Sequence, residues 1–477
     1  MAAYSTTAST TERFRTLFRY SEDTKGLILS HLLGFALFNE ITLNIFKYDI
    51  PLTPTNSIPI RLLAVWLFID RSNRIGRLRF GAWDCLIAFF VVASGVGMVY
   101  TSITAPSVPV DFDNFRRFCG IFLSAYLYYL VAKEGLNRRG FRPDITVYWL
   151  VAGFAWSAIV GLLQTANLFH ARQWSLIYAN RQLDFLRKAG STVGDASGGN
   201  ANLASGTAAW WNSMALEMLV AFALVFGSSF LRRPKWFEWM LGLLFMGAFM
   251  ATESRGGLAA FGACAVATFA WFLYHRRYLV ATIIGTTVAV AVIVWLMAVF
   301  ALKIERFTKT IDPGTVRGST YSQSFDSRLR QQHDLIDIGL RNPIFGTGPY
   351  FPPRNVRIWS VYTITGATDT NYGFTFAQFG LVGLAFLIAV QLYMISFIRS
   401  SVAYRPFAFA AFFIGIAFSV HGLVEFLLYG RTFMVMNLLA AYAGSPILVS
   451  EKGRAAFRRL LKPARTVTAR EGGFVEA

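Results

Sequence analysis

Chemistry in this chain starts from its arginines. The stretch "AFMATESRGGLAAFG", residues 248–262, sets Glu253, Ser254 and Arg255 between apolar runs, with Gly256 and Gly257 directly after. A guanidinium there is costly to desolvate and stays charged in apolar surroundings, so it asks for an anionic partner. Residues 303–372 carry nine Lys and Arg, Arg328 and Arg330 among them, against six acids. Residues 166–200 add Arg172, Arg181, Arg187 and Lys188 against Asp184 and Asp195. Guanidinium forks grip phosphate oxygens at two points. Any one of these arginines is explained by a neighbouring acid or a lipid headgroup. As a set they point to a phosphate-bearing ligand. In "VHGLVEFLLYGR", His421 and Glu425 stand four apart, on one face of a helix, with Arg431 just beyond. They could line a cavity with Arg431; a His–Glu pair that only holds helices together is the alternative. The five histidines have no metal-ligand spacing, so neither a metal nor another cofactor is expected.

The elements that must position these groups are membrane helices. The 477 residues are 55% hydrophobic and 15% charged, with mean hydropathy +0.46, and many apolar runs approach the ~20 residues a helix needs to cross a bilayer. This predicts an all-α polytopic membrane bundle with twelve spans: 26–46, 57–70, 81–103, 114–133, 145–165, 201–228, 236–252, 256–274, 278–302, 373–398, 406–428 and 432–449. Residues 1–25 read as a cytoplasmic N-terminal tail, 26–449 as the transmembrane domain and 450–477 as a basic cytoplasmic tail. The net charge of +19 fits lysines and arginines gathered in cytoplasmic loops, and no nucleic-acid partner is expected. Cys85, Cys119 and Cys264 lie in apolar runs and suggest no disulfide framework.

Every even-numbered loop is basic, from Arg71–Arg79 after the second span to Arg399 and Arg405 after the tenth. The positive-inside rule therefore puts both termini in the cytoplasm, and Arg255 with loops 166–200 and 303–372 on the outer face. Arg61, Arg116 and Arg117 near outer span ends are exceptions to that bias. A connection as long as 303–372 is usually functional. Within it "FDSRLRQQHDLIDIGLRNP" predicts an amphipathic helix, capped by Asp326 or Ser327, with Leu329, Ile336 and Leu340 on one face and Asn342-Pro343 at its end.

Four segments in order carry a family resemblance: "RKAGSTVGDASGGNANLASG" (187–206), "ESRGG" (253–257), "SRLRQQHDLIDIGLRNPIFGTGPYF" (327–351) and "TDTNYGFTFAQFGLVGL" (368–384). Together they resemble the O-antigen ligase and Wzy-type polysaccharide polymerase superfamily. Arg187, Arg255 and Arg328 fall on arginines of that pattern, with Arg330 a register alternative to Arg328, and Tyr372 and Gly380 also match. Ligases of the family carry His-Asn where this chain has Asp369-Thr370. The polymerase branch is more varied here and can carry an acid, so the resemblance leans to a polymerase.

The resemblance implies a polyprenyl-diphosphate-linked glycan donor and a lipid-linked acceptor at the outer leaflet of the bacterial cytoplasmic (inner) membrane. Flippase and chain-length or export proteins would be partners beside the bilayer. Arg255 and Arg328, with Arg187, would hold the leaving diphosphate in place of a metal. Asp369 would act as base on the acceptor hydroxyl, by direct displacement with inversion. Arg330, Asn202, Tyr372, His421, Glu425 and Arg431 would bind the diphosphate or the glycan. Ligation of the glycan to lipid A-core or protein is the nearest alternative. A twelve-helix transporter would show paired broken helices and polar groups near mid-membrane. A non-catalytic assembly partner is the third reading.

Overall fold

The computed structural model describes residues 10–42, 58–72, 80–104, 112–166, 168–171, 206–207, 211–229, 236–252, 254–276, 332–348, 371–400, 405, 407–423 and 431–446. Every element among them is helical. In chain order these are α1 (Thr10–Thr42), α2 (Ile58–Ser72), α3 (Ala82–Thr104), α4 (Phe112–Leu136) and α5 (Pro143–Ala166). They continue with α6 (Trp211–Ser229), α7 (Trp236–Ala251), α8 (Arg255–Tyr274), α9 (332–341), α10 (Asn371–Ile395), α11 (Ala408–His421) and α12 (Arg431–Gly444). Without water to serve the backbone, long apolar runs must satisfy their N–H and C=O groups internally, which a helix does. Pro143 opens α5, where its missing N–H costs nothing.

By length and composition, four helical stretches among the described residues can cross a membrane: Ala82–Thr104, Pro143–Ala166, Gly256–Tyr274 and Asn371–Arg399. Four shorter apolar helices, Ile58–Ile69, Asn212–Gly227, Trp236–Ala251 and Ala408–His421, stand beside them. Eleven of the twelve expected segments contain a described helix; the ninth, 278–302, lies outside the described residues. Two expectations need correction. The sixth helix starts at Trp211 rather than at 201, because Gly206 and Thr207 form a turn with Gly206 at φ +57°. The tenth is not one straight span, as shown below.

Contacts sort the helix ends into two groups. At one end, Gly26 meets the backbone of Arg139 and Phe141, and Arg142 N–H donates to Ser30 Oγ at 2.7 Å. At that end too, Arg405 Nη1 donates to Ala443 O at 2.7 Å, and His275 Nε2 lies 3.1 Å from Ile398 O. Asp84 there takes Lys133, Tyr126 at 2.6 Å and Tyr129 at 3.2 Å, tying α3 to α4. The basic ends Arg138–Arg142, Arg276, Arg399 and Arg405 thus belong to one side, as alternating spans require. At the opposite end, Thr207 bonds Ile41 at the close of α1 and Arg431 at the start of α12, Gly206 bonds Gln164 at the close of α5, and Thr101 near the close of α3 bonds Asn342 and Gly346.

Helix α9 ends at Asn342-Pro343, as the sequence predicts. Its buried face is Leu335 and Ile338, not the expected Ile336 and Leu340, which are exposed together with Ile344. Gly339 packs on the Phe376 ring and Asn342 Nδ2 bonds Thr101 Oγ1 of α3, so the helix is rolled with its second apolar stripe facing outward. The Leu329 position and both cap residues lie outside the described residues.

Candidate active site

The helix from Asn371 to Ile395 is broken at Gly380, where φ is 59° and ψ −151°. The break is a reversal. In a continuous helix, residues 372 and 391 would be about 28 Å apart. Instead Gln391 Nε2 donates to Tyr372 Oη at 2.8 Å. A Cβ on Gly383 would stand 2.9 Å from Thr375 Cγ2, so the two arms lie side by side. The descending arm, 381–395, continues through a 3-10 turn at Ser396–Arg399, together about 30 Å long, enough for a hydrocarbon core. The ascending arm, 371–379, therefore starts about 13 Å below the reversal, inside the bundle.

The break orphans backbone groups on both arms, and a buried N–H or C=O without a partner is costly. The segment after α9 serves them. Thr347 N–H donates to Ala377 O at 2.9 Å and Gly348 N–H to Gln378 O at 2.8 Å, closing the ascending arm. Leu381 N–H donates to Pro343 O at 2.8 Å and Val382 N–H to Ile344 O at 3.2 Å, opening the descending one.

At the foot of the ascending arm Asn371 N–H donates to Gly422 O at 2.8 Å, and Tyr372 Oη donates to Ser419 O at 2.9 Å. Asn371 and His421 are both 0% exposed. The fold thus brings Tyr372 and His421, expected from sequence, into one buried polar cluster with Asn371 and Gln391. Asp369 lies two residues before Asn371, outside the described residues. Glu425 is also outside them. The register expected between His421 and Glu425 thus falls outside the described residues; α11 is described to His421, with Gly422 as its cap.

Arg431 sits at the start of α12, 8% exposed, and its pairing is internal. Its Nη1 donates to Glu217 Oε1 at 3.2 Å and to Thr207 Oγ1 at 3.1 Å; its Nη2 donates to Thr207 O at 2.8 Å. Glu217 is 3% exposed. Thr207 Oγ1 in turn donates to Ile41 O at 2.7 Å, and Gly206 N–H donates to Gln164 Oε1 at 2.8 Å. This network anchors residues 206–207 to α1, α5, α6 and α12. It places Arg431 in a structural pair rather than on an open cavity wall. Sequence reasoning missed Glu217, although a lone carboxylate inside an apolar run is a signal in itself.

Arg255 is the first residue of α8. Ser254 caps that helix: its Oγ accepts Gly257 N–H at 3.0 Å and donates to Asn212 Oδ1 of α6 at 2.6 Å. Thr252 Oγ1 accepts Ser254 N–H at 3.3 Å. The turn carrying Arg255 is therefore pinned to the same end of the bundle as Glu217, on the same helix α6. Replacing Ser254 with Ala should lower stability by about 1–2 kcal/mol, read as a lower thermal midpoint of the solubilised protein, while Ser254→Thr keeps most of it. Equal midpoints for the Ala variant and wild type would refute the capping role. Arg187, Asn202, Arg328 and Arg330 lie outside the described residues. Among the described residues no three His, Cys, Asp or Glu side chains converge as a metal set. An apolar groove of about 450 Å³, lined by Phe38, Tyr148, Val151, Trp156 and Leu241, lies on α1, α5 and α7, away from the polar cluster.

A helical membrane protein with a re-entrant arm and a buried polar foot is the class that fold and site define. Residues 239–388 match the family model described as O-antigen ligase, which supports the resemblance to the O-antigen ligase and Wzy superfamily. The match supports a membrane enzyme of the ligase and polymerase type. The matched stretch runs from α7 through the re-entrant arm. It includes Arg255, Arg328, Arg330, Asp369, Tyr372 and Gly380 and leaves out Arg187, Asn202, His421, Glu425 and Arg431. No curated protein matches the chain.

Proposed function

We propose that the protein is a glycan polymerase at the outer face of the bacterial cytoplasmic membrane. It transfers a polyprenyl-diphosphate-linked glycan onto a lipid-linked repeat unit. The observation that carries this reading is the re-entrant arm, which begins two residues after Asp369 and beside His421 within the bundle. Asp369 accepts the proton of the acceptor hydroxyl as its oxygen bonds to the anomeric carbon. The bond from that carbon to the phosphate oxygen breaks, and the diphosphate leaves with the electron pair. Arg255 and Arg328, with Arg187 and Arg330 nearby, hold the growing negative charge. Tyr372 and His421 shape the floor on which the acceptor rests. Asn202 and Glu425 contact the glycan, while Arg431 acts from behind, through Thr207. Flippase and chain-length or export proteins supply and take up the lipid-linked chains.

A broken helix is also what a transporter would have. Among the described residues the break occurs once, without a counterpart, and the matching family is one of glycan transfer. The test is a deletion strain complemented with wild type or Asp369→Asn at equal protein level. Wild type should restore long chains and Asp369→Asn should leave single lipid-linked repeats. Polymer that stays long but detached from its final carrier would make the protein a ligase. Long, correctly attached chains from Asp369→Asn would remove that residue as the base.

A further inference from the structure

We infer that Gly346 and Gly380 form an interlocked clasp that fixes the loop helix α9 to the re-entrant arm, and that they are positioning residues for glycan transfer. This rests on the polymerase reading. Each glycine sits where only a glycine fits, and each fits against the other's segment. Gly380 has φ 59° and ψ −151°, a region essentially closed to residues with a Cβ. A Cβ there would lie 2.5 Å from Ile344 O and 2.6 Å from Pro343 O. Gly346 has φ +69°, and its Cβ would lie 2.4 Å from the carbonyl carbon of Gln378 and 2.5 Å from Phe379 N. Backbone stands in the way in both cases, not the end of a flexible side chain.

The four backbone hydrogen bonds described above run across this contact. Thr101 on α3 holds the clasp from below: its Oγ1 donates to Gly346 O at 3.2 Å and accepts from Asn342 Nδ2. Two chain segments are locked in register as a result. One enters α9 from the stretch bearing Arg328 and Arg330. The other enters the ascending arm from Asp369. The proposed diphosphate-holding arginines precede α9 in the chain and the proposed base precedes the ascending arm, so the joint sets how the two elements that follow them are held. Misplacement by about 1 Å can cost about 100-fold in rate without any loss of binding groups.

The experiment uses the full chain in lipid nanodiscs, with Gly346→Ala, Gly380→Ala, the double variant and Thr101→Val. Binding is read with polyprenyl diphosphate lacking a glycan; elongation is read as chain length in the complemented deletion strain. Each glycine variant should lose about 100-fold in elongation while its binding of the probe changes by less than about twofold. The double variant should be no worse than the worse single one, because both break one contact. Thr101→Val, which leaves α3 intact, should lose about fivefold and serves if a glycine variant fails to accumulate. Elongation within twofold of wild type in Thr101→Val and in every glycine variant that accumulates would overturn the inference. So would probe binding, thermal midpoint and elongation falling together, since the clasp would then only support the fold. If wild type itself does not bind the probe, the polymerase reading falls and this inference with it.

Discussion

Glu217→Ala should leave little protein in the membrane. The substitution strands Arg431 as a charge that is only 8% exposed. Removing one partner of a buried ion pair costs about 3–5 kcal/mol, a large share of a typical stability margin. Thr207 is the only other described side chain bonded to that guanidinium, through Oγ1, and its backbone carbonyl takes the second amino group. Neither is charged, so neither replaces the carboxylate. Glu217→Gln keeps an acceptor and should fall between wild type and Ala. Converting both residues to Met removes both charges and should recover part of the loss, though Thr207 O then goes unserved. The measurements are membrane abundance and thermal midpoint in detergent. A Glu217→Ala protein as abundant and as stable as wild type would mean that the pair does not hold the bundle.

The second large effect concerns rate rather than folding. Arg255→Ala should lower glycan transfer by about 100- to 1,000-fold, the loss that follows removal of one preorganised group from a developing oxyanion. The helix start should survive, since Ser254 supplies the cap and Thr252 supports Ser254. Arg255→Lys keeps the charge but not the two-point fork, and should sit between. Elongation rates in membranes at matched protein level distinguish the outcomes. A rate within a few-fold of wild type for Arg255→Ala would remove it from the phosphate site.

Both predictions concern arginines, yet the structure separates their roles. The sequence alone treats Arg255 and Arg431 alike, as guanidiniums beside apolar runs on the same face. The fold gives Arg431 a buried carboxylate 214 residues away in the chain and leaves Arg255 at a capped, glycine-flanked turn within the matched family segment. The sets of arginines on 166–200 and 303–372 keep their meaning as a charge pattern. Their geometry lies outside the described residues.

Much of the architecture is legible without coordinates, and the reason is physical. A bilayer forces apolar runs of sufficient length into helices, and basic loops mark their ends, so hydropathy and charge locate most elements. One local signal also holds: Asn342-Pro343 ends α9. What only the tertiary structure decides depends on contacts distant in sequence. Residues 373–398 read as one span because hydropathy carries no information about φ at Gly380. That glycine reverses the chain only because Pro343 and Ile344 accept the freed N–H groups beyond it. Which stripe of α9 is buried follows from Phe376 and Thr101, not from its own periodicity. Glu217 is one acid in an apolar helix until Arg431 and Thr207 arrive beside it. The residue types were set by the sequence; the reversal, the joint and the buried pair come from the packing that brings them together.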